Sequence, residues 1–327
     1  MPFIAILSYM KIQTKENKNP KKWIIILCYL TVYIVWGSTY LFIRVAVTTI
    51  PPFYVVGLRF FGGGVFFLLL ALASRRLKRL PTFKEFCCSF FLGFFLLLGG
   101  NGLVTVAEKN VDSYLVALIL ATTPVVVAFF DWLLIGKKIS FSGIIGIFLG
   151  FGGVCTLLYN GSSFSMSFTP DILLVIGGLV SWAFATSLGH KLKVFPDIFV
   201  NTGIQMFSIG LICLLTLMLG KPSIQQLYPS FSLSSILGLL YLMIIGSAAF
   251  CAYNYLIHNE PAIRVVSYAF VNPIIATLLG VVVAKEKIVP FLFPGIILIL
   301  CGLFIMLYGN LLFKAIKAKR KLEPDFF

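Results

Sequence analysis

Residues 110–159 read NVDSYLVALILATTPVVVAFFDWLLIGKKISFSGIIGIFLGFGGVCTLLY, and residues 259–308 read NEPAIRVVSYAFVNPIIATLLGVVVAKEKIVPFLFPGIILILCGLFIMLY. Laid on each other without a gap, at an offset of 149 residues, they agree at eleven of 50 positions. Two apolar sequences agree often by composition alone, so the rarer types decide the matter: Asn110/Asn259, Pro124/Pro273, Lys138/Lys287, Gly146/Gly295 and Gly153/Gly302 all coincide. An offset of 146 also sets Trp36 on Trp182. A period this long marks a duplicated unit.

Outward from this pair the rest of the chain reads in the same way. Of its 327 residues 60% are hydrophobic and 11% charged, and the mean hydropathy is +1.03. A soluble domain is roughly a quarter charged, so a bilayer is the expected solvent. Segments of about 20 apolar residues cross a membrane as helices. Ten qualify: 23–45, 53–73, 86–107, 113–135, 141–159, 171–190, 198–219, 235–257, 262–284 and 291–312. Transmembrane strands would alternate in polarity over about ten residues, and these runs are uniformly apolar. The expected fold is an all-α integral membrane protein with ten transmembrane helices in two inverted five-helix repeats. Its parts are a tail over 1–22, a first repeat over 23–159, an outer connector over 160–170, a second repeat over 171–312 and a basic tail over 313–327. Five helices per unit is an odd number, so the second unit enters from the opposite side. Inverted repeats of this kind build alternating-access carriers, with substrate held near the midplane.

The net charge of +15 raises nucleic acid as a partner, but the positives cluster in short runs at the ends of apolar segments. That placement suits topology control and anionic headgroups, and no nucleic-acid partner is expected. With a cytoplasmic N-terminus, 20 Lys and Arg fall on the inner side and five on the outer, with Arg59 inside a helix. Both termini are therefore expected in the cytoplasm, with the chain multi-pass in the cytoplasmic membrane. The seven cysteines lie in or beside apolar runs without a CxxC pair, so neither a disulfide framework nor a metal site is expected. The stretch Phe3 to Met10 is too short to span, and the polar run that follows Met10 makes it an alternative start to Met1.

Several residue types at membrane depth point to function. Pro124 and Pro273 each remove a helical hydrogen bond and leave the carbonyls of Leu120 and Ala269 underserved. With Thr122, Thr123 and Asn272 beside them they read either as broken helices lining a cavity or as packing kinks. Trp36-Gly37-Ser38-Thr39-Tyr40 crosses the middle of the first helix, away from the interfaces where such aromatics gather. It reads as an aromatic pocket or as packing around Gly37. Intramembrane charge marks function or a buried pair. Arg44, Arg59, Glu108 and Asp112 lie in the outer third of their helices, and Glu108 is expected to face Arg59 or Arg44 in a gate, a proton relay or a structural ion pair. Asp131 near the inner end of the fourth helix is a further proton-relay candidate or a headgroup-zone residue. Gly62-Gly63-Gly64 and Gly146 with Gly150 read as close helix contacts. No Walker A loop, G-x-S-x-G elbow or H-E-x-x-H is present, so neither catalysis nor a resident cofactor is expected.

Taken in order, these residues resemble the EamA branch of the drug/metabolite transporter superfamily. The likeness runs through Trp36-Gly37-Ser38-Thr39-Tyr40 with Arg44, Pro51-Pro52, Leu58-Arg59-Phe60, Gly99-Gly100-Asn101-Gly102, Ala107-Glu108, Ala121-Thr122-Thr123-Pro124 and Asp131-Trp132. In the second half it continues through Trp182, Pro261-Ala262, Tyr268-Ala269-Phe270-Val271-Asn272-Pro273 and Lys285-Glu286-Lys287, covering about Trp23 to Leu312. The stretch Ile263-Arg264-Val265-Val266 departs from the small polar residues usual there. The resemblance implies two inverted five-helix repeats around a central cavity, no bound cofactor, and export of amino-acid-like metabolites or drug-like solutes. Expected cavity residues are Trp36, Ser38, Tyr40, Asn101, Thr123, Pro124, Trp182, Tyr268, Asn272 and Pro273. Gate or proton-relay candidates are Arg44, Arg59, Glu108 and Asp131. The expected partners are a small-molecule substrate and the lipid bilayer, and the sequence sets no oligomeric state. A channel, a lipid scramblase and a membrane-embedded lipid-modifying enzyme are the competing readings. Few acids, none paired, speak against the last.

Overall fold

A computed structural model of the protein describes residues 22–108, 110–111, 116, 119–159, 170–189, 191–219, 231–283 and 291–322. The Met1/Met10 question, Asp112, the connector over 160–169, Lys285 to Lys287 and the end of the basic tail lie outside them. The described residues form helices α1 (Lys22–Val47), α2 (Pro52–Ala73), α3 (Phe83–Ala107), α4 (Thr123–Ile135), α5 (Phe141–Leu158), α6 (Asp171–Gly189), α7 (Ile198–Leu219), α8 (Leu233–Asn259), α9 (Tyr268–Val283) and α10 (Leu292–Leu322). A single turn, Ala262–Val265, precedes α9. Among the described residues seven helices are long and apolar enough to cross a membrane, the seventh counted from Ala262 through Leu279; three shorter apolar helices lie at Thr123–Ile135, Phe141–Thr156 and Phe293–Gly309.

Local chemistry sets the helix ends. Pro52 opens α2, where its missing N–H costs nothing. Thr82 and Glu85 form a reciprocal capping box at α3. The Asp197 carboxylate accepts the backbone N–H groups of Phe199 and Val200 at the start of α7, at 2.9 and 3.2 Å. Ser140 and Ser232 cap α5 and α8 in the same way. α10 runs on through the first part of the basic tail to Leu322.

Helix pairs set the packing. α2 lies along α7, α5 along α10, α1 along α8 and α9, and α6 along α3 and α4. Small residues allow the close approaches. A Cβ on Gly302 would meet the backbone of Gly150 and Gly146, and one on Gly64 the backbone of Phe207. The core buries Phe60, Phe67, Leu92, Phe199, Met206 and Tyr253, while Ile34, Phe129, Leu173 and Phe304 face outward. An apolar outer surface on an apolar core is what a lipid solvent permits.

Two details of the backbone position the site. α3 is π-helical over Phe94–Gly102 and α8 over Leu242–Gly246, and wide turns of this kind favour functional positions. The break expected at Pro124 is present as a turn at residues 121–122 directly before α4. The Thr122 hydroxyl donates to the Ile119 carbonyl at 2.6 Å and the Thr123 hydroxyl to that of Leu120, so the carbonyl expected to be underserved has a partner. The second break is displaced from its expected place. Pro273 sits inside α9, and the chain turns instead at Val266–Ser267. Ser267 there meets the Tyr33 hydroxyl at 2.6 Å. The second half has no threonine pair before its proline, and the helix absorbs the missing bond without opening.

A separate polar cluster pins α3, α7 and α8 together. Asn201 Oδ1 accepts from Ser89 Oγ at 2.7 Å and from Gln205 Nε2 at 3.2 Å. Asn254 Nδ2 reaches Gln205 Oε1 at 3.1 Å and Thr202 Oγ1 at 3.2 Å. All five side chains are fully buried.

Candidate binding cavity

A cavity of about 90 Å³ lies between residues 36–123 and 178–272. Its closed end is aromatic. The Trp36 ring lies 5.4 Å from Trp182, 4.8 Å from Tyr253 and 4.8 Å from Tyr268, and Trp182 lies 5.1 Å from Tyr253. The Tyr253 hydroxyl meets that of Thr186 at 2.6 Å. From this floor the space extends along α1 past Thr39 and Tyr40 to Ile43.

The walls carry the charge. Arg59, on α2, is 5% exposed. Its Nη1 donates to Asn101 Oδ1 at 3.2 Å, and Asn101, in the wide turn of α3, also accepts the Thr105 hydroxyl through its backbone carbonyl at 2.8 Å. Gly100 lets the turn sit against Trp182, since a Cβ there would come within 2.7 Å of the indole. Glu108, at the end of α3, lines the same space within electrostatic reach of Arg59 and Arg44. The two charges do not form a direct ion pair: Glu108 Oε1 and Arg59 Nε are both buried without a hydrogen-bond partner. Burying such groups costs several kcal/mol per charge, on the order of a whole salt-bridge desolvation. Residues with unmet capacity of both signs thus line one void. Arg59, Asn101 and Asn272 can donate, Glu108 can accept, and the aromatic floor can hold an apolar group or a cation.

Of the residues expected from sequence, Trp36, Tyr40, Asn101, Thr123, Trp182, Tyr268 and Asn272 line this cavity, together with Arg59 and Glu108. Others are placed elsewhere. Ser38 points away, to the Tyr241 hydroxyl at 2.7 Å and the Val35 carbonyl. Pro124 and Pro273 are buried in their helices without lining the space, though Ala269, whose carbonyl Pro273 cannot serve, does line it. Arg44 is exposed, and Asp131 is 4% exposed beyond the cavity lining. Lining residues not among the expected ones include Thr39, Ile43, Gly100, Val104, Thr105, Gly178 and Leu179. Thr105 was findable, one helical turn after Asn101. Tyr253, which packs behind Trp36 and Trp182 without lining the cavity, carries no signal in an apolar run.

Apolar helices packed around a charged internal void define a polytopic membrane protein. The sequence profile of the EamA-like transporter family matches residues 3–159 and 169–308, and the chain belongs to that family of membrane transporters. It is 34% identical over 285 residues to the uncharacterized inner membrane transporter YedA of Escherichia coli K12, covering 86% of this chain and 90% of that one. It is 26% identical over 272 residues to the uncharacterized transporter YvbV of Bacillus subtilis 168, covering 83% and 87%. A crystal structure 20% identical in sequence superposes with a TM-score of 0.70 over 86% of this chain and 95% of that one, which shows a shared fold.

Proposed function

We propose that the chain is a ten-helix secondary transporter of two inverted five-helix repeats, exporting small amino-acid-like metabolites by alternating access across an inner membrane. The observation that carries this reading is the cavity itself. It is lined from both halves of the chain, and it holds Arg59 and Glu108 with hydrogen-bonding capacity left open. Its volume of about 90 Å³ is below the roughly 300–1,000 Å³ of pockets that take drug-sized ligands.

The inverted repeat draws support from how helices pair. Exchanging α1–α5 for α6–α10 maps α2 with α7 and α5 with α10 onto themselves, and maps α1 with α9 onto α6 with α4. It also maps the wide turn of α3 onto that of α8. Cytoplasmic termini follow from the distribution of Lys and Arg, and the inner membrane from the likeness to YedA. Proton coupling through Glu108 belongs to this reading; Asp131, outside the cavity lining, has no place in it.

The test is a stabilisation screen of purified, reconstituted protein against amino acids, organic acids and cationic drugs, followed by counterflow of each hit in proteoliposomes. A ligand that binds the folded state raises its melting temperature by mass action. Saturable counterflow of a stabilising amino acid is the expected result. No stabilisation by any class, with fast unsaturable lipid movement in the same vesicles, would replace the carrier with a scramblase.

A further inference from the structure

A second cavity, of about 870 Å³, opens at the end of the bundle where α1 begins, α2 ends, α3 and α7 begin and α8 ends. It shares no lining residue with the first. Its charged residues are Arg76, Lys78, Arg79, Lys193, Glu85 and Asp197, with His258 beside them.

The two acids are fully engaged. Glu85 accepts both terminal nitrogens of Arg79 at 2.7 and 2.6 Å, as well as the Thr82 backbone N–H at 2.9 Å. Asp197 caps α7 with one oxygen and takes Arg76 Nη1 at 3.2 Å with the other. The basic side is not matched. Arg76 is 9% exposed, held with its guanidinium 4.4 Å above the Phe199 ring, and its Nη2 has no partner. Fully buried Asn201 also lines the cavity, and its Nδ2 has no partner. Two orphaned buried N–H donors thus share a cavity with the exposed Lys78 and Lys193, neither of which is in the ion pairs Arg76–Asp197 and Arg79–Glu85.

From this geometry we propose that the second cavity binds a phosphate group. The donor set is the one phosphate oxygens require, with fixed N–H groups from a guanidinium and an amide, and lysines at the mouth. Basic pockets between membrane helices take lipid headgroups by the same chemistry. Leu80 and Phe83, at 79% and 84% exposure beside Arg79 and Glu85 in sequence, supply apolar surface on which acyl chains can lie. Bound phosphate would contact Arg76 and Lys78 from the first half and Lys193 from the second, and so tie the halves together at this end.

The experiment uses full-length, delipidated protein in detergent, as wild type and as the Lys78→Gln/Lys193→Gln double variant, which leaves the buried arginine in place. Native mass spectrometry compares bound phosphatidylglycerol with phosphatidylcholine, and a thermal titration compares inorganic phosphate with chloride at equal ionic strength. The site predicts a preference for the anionic lipid or a phosphate-specific rise in melting temperature, weakened by about tenfold in apparent affinity in the double variant. A lipid preference without a phosphate effect assigns the headgroup as ligand, and a phosphate effect without lipid preference assigns a soluble phosphate. Neither effect in the wild type, or equal effects in the double variant, overturns the proposal. Arg76→Lys adds a check on the buried donor: it keeps the charge, removes the planar fork, and is expected to lose binding while melting as a single folded species.

Discussion

The binding cavity and the amide cluster of Ser89, Asn201, Thr202, Gln205 and Asn254 are both polar islands in the same apolar bundle, and they answer the cost of burial differently. The amide cluster is neutral, and its members mostly satisfy one another across α3, α7 and α8. Such a network fixes how the helices face each other. The cavity instead holds a guanidinium and a carboxylate that do not bond to each other. Within the cluster only Asn201 Nδ2, at the second cavity, and Asn254 Oδ1 are left without a partner, whereas in the binding cavity the open capacity includes that of the charged groups themselves.

That contrast can be broken by asking which property each region controls. The largest effect is expected for Arg59→Gln, which should lower counterflow of a stabilising ligand by at least about tenfold, the order of losing a charge-assisted hydrogen bond. Its melting temperature without ligand should stay at or above that of the wild type, since a buried charge is removed. A large fall in melting temperature with flux intact would reverse the assignment. Asn254→Leu should do the opposite, leaving the Gln205 and Thr202 groups unpaired and lowering stability by about 1–3 kcal/mol. Thermal denaturation in detergent reads this directly, and apparent ligand affinity should be preserved.

Glu108→Gln sharpens the comparison from the other sign. It keeps the shape and removes the charge, so transport that uses the carboxylate should fall by several-fold and lose its response to an imposed pH gradient. An unchanged gradient response removes Glu108 from any proton path. The smallest effect is expected for Ser38→Ala. Ser38 bonds to Tyr241 rather than facing the void, so flux should remain within about twofold, and a larger loss would place it at the site after all. One hydroxyl contact is worth about 1 kcal/mol.

Much of this arrangement was legible from the chain. Apolar run lengths gave the helices, and intramembrane rarity marked Arg59, Glu108, Trp36, Trp182 and Asn272, because a charge or a large amphipathic ring at membrane depth needs a reason. What escaped was azimuth. Ser38 and Tyr40 lie two residues apart in one motif, which is about 200° around a helix, and periodicity cannot choose between the sides when every face is apolar. Arg44 and Asp131, marked by residue type as gate or proton-relay candidates, lie outside the cavity lining. The displaced break before α9 escaped for another reason: a proline marks a lost hydrogen bond, while the Thr122 and Thr123 hydroxyls on one side and Ser267 on the other decide where the backbone opens. Tyr253 stayed hidden because an aromatic in an apolar run looks like any other.

The wide turn of α3 has a consequence for chain length. A residue inserted into or removed from an ordinary membrane helix rotates everything beyond it by about 100°. Over Phe94–Gly102 the hydrogen-bond ladder already accommodates a longer step. The segment acts as a phase offset between the two ends of one helix, letting Leu92 pack into the core while Asn101, Thr105 and Glu108 look into the void. Deleting one residue there would restore a regular helix and largely keep Thr105 and Glu108 facing Arg59, whereas the same deletion in the regular turns of α3 would swing them away.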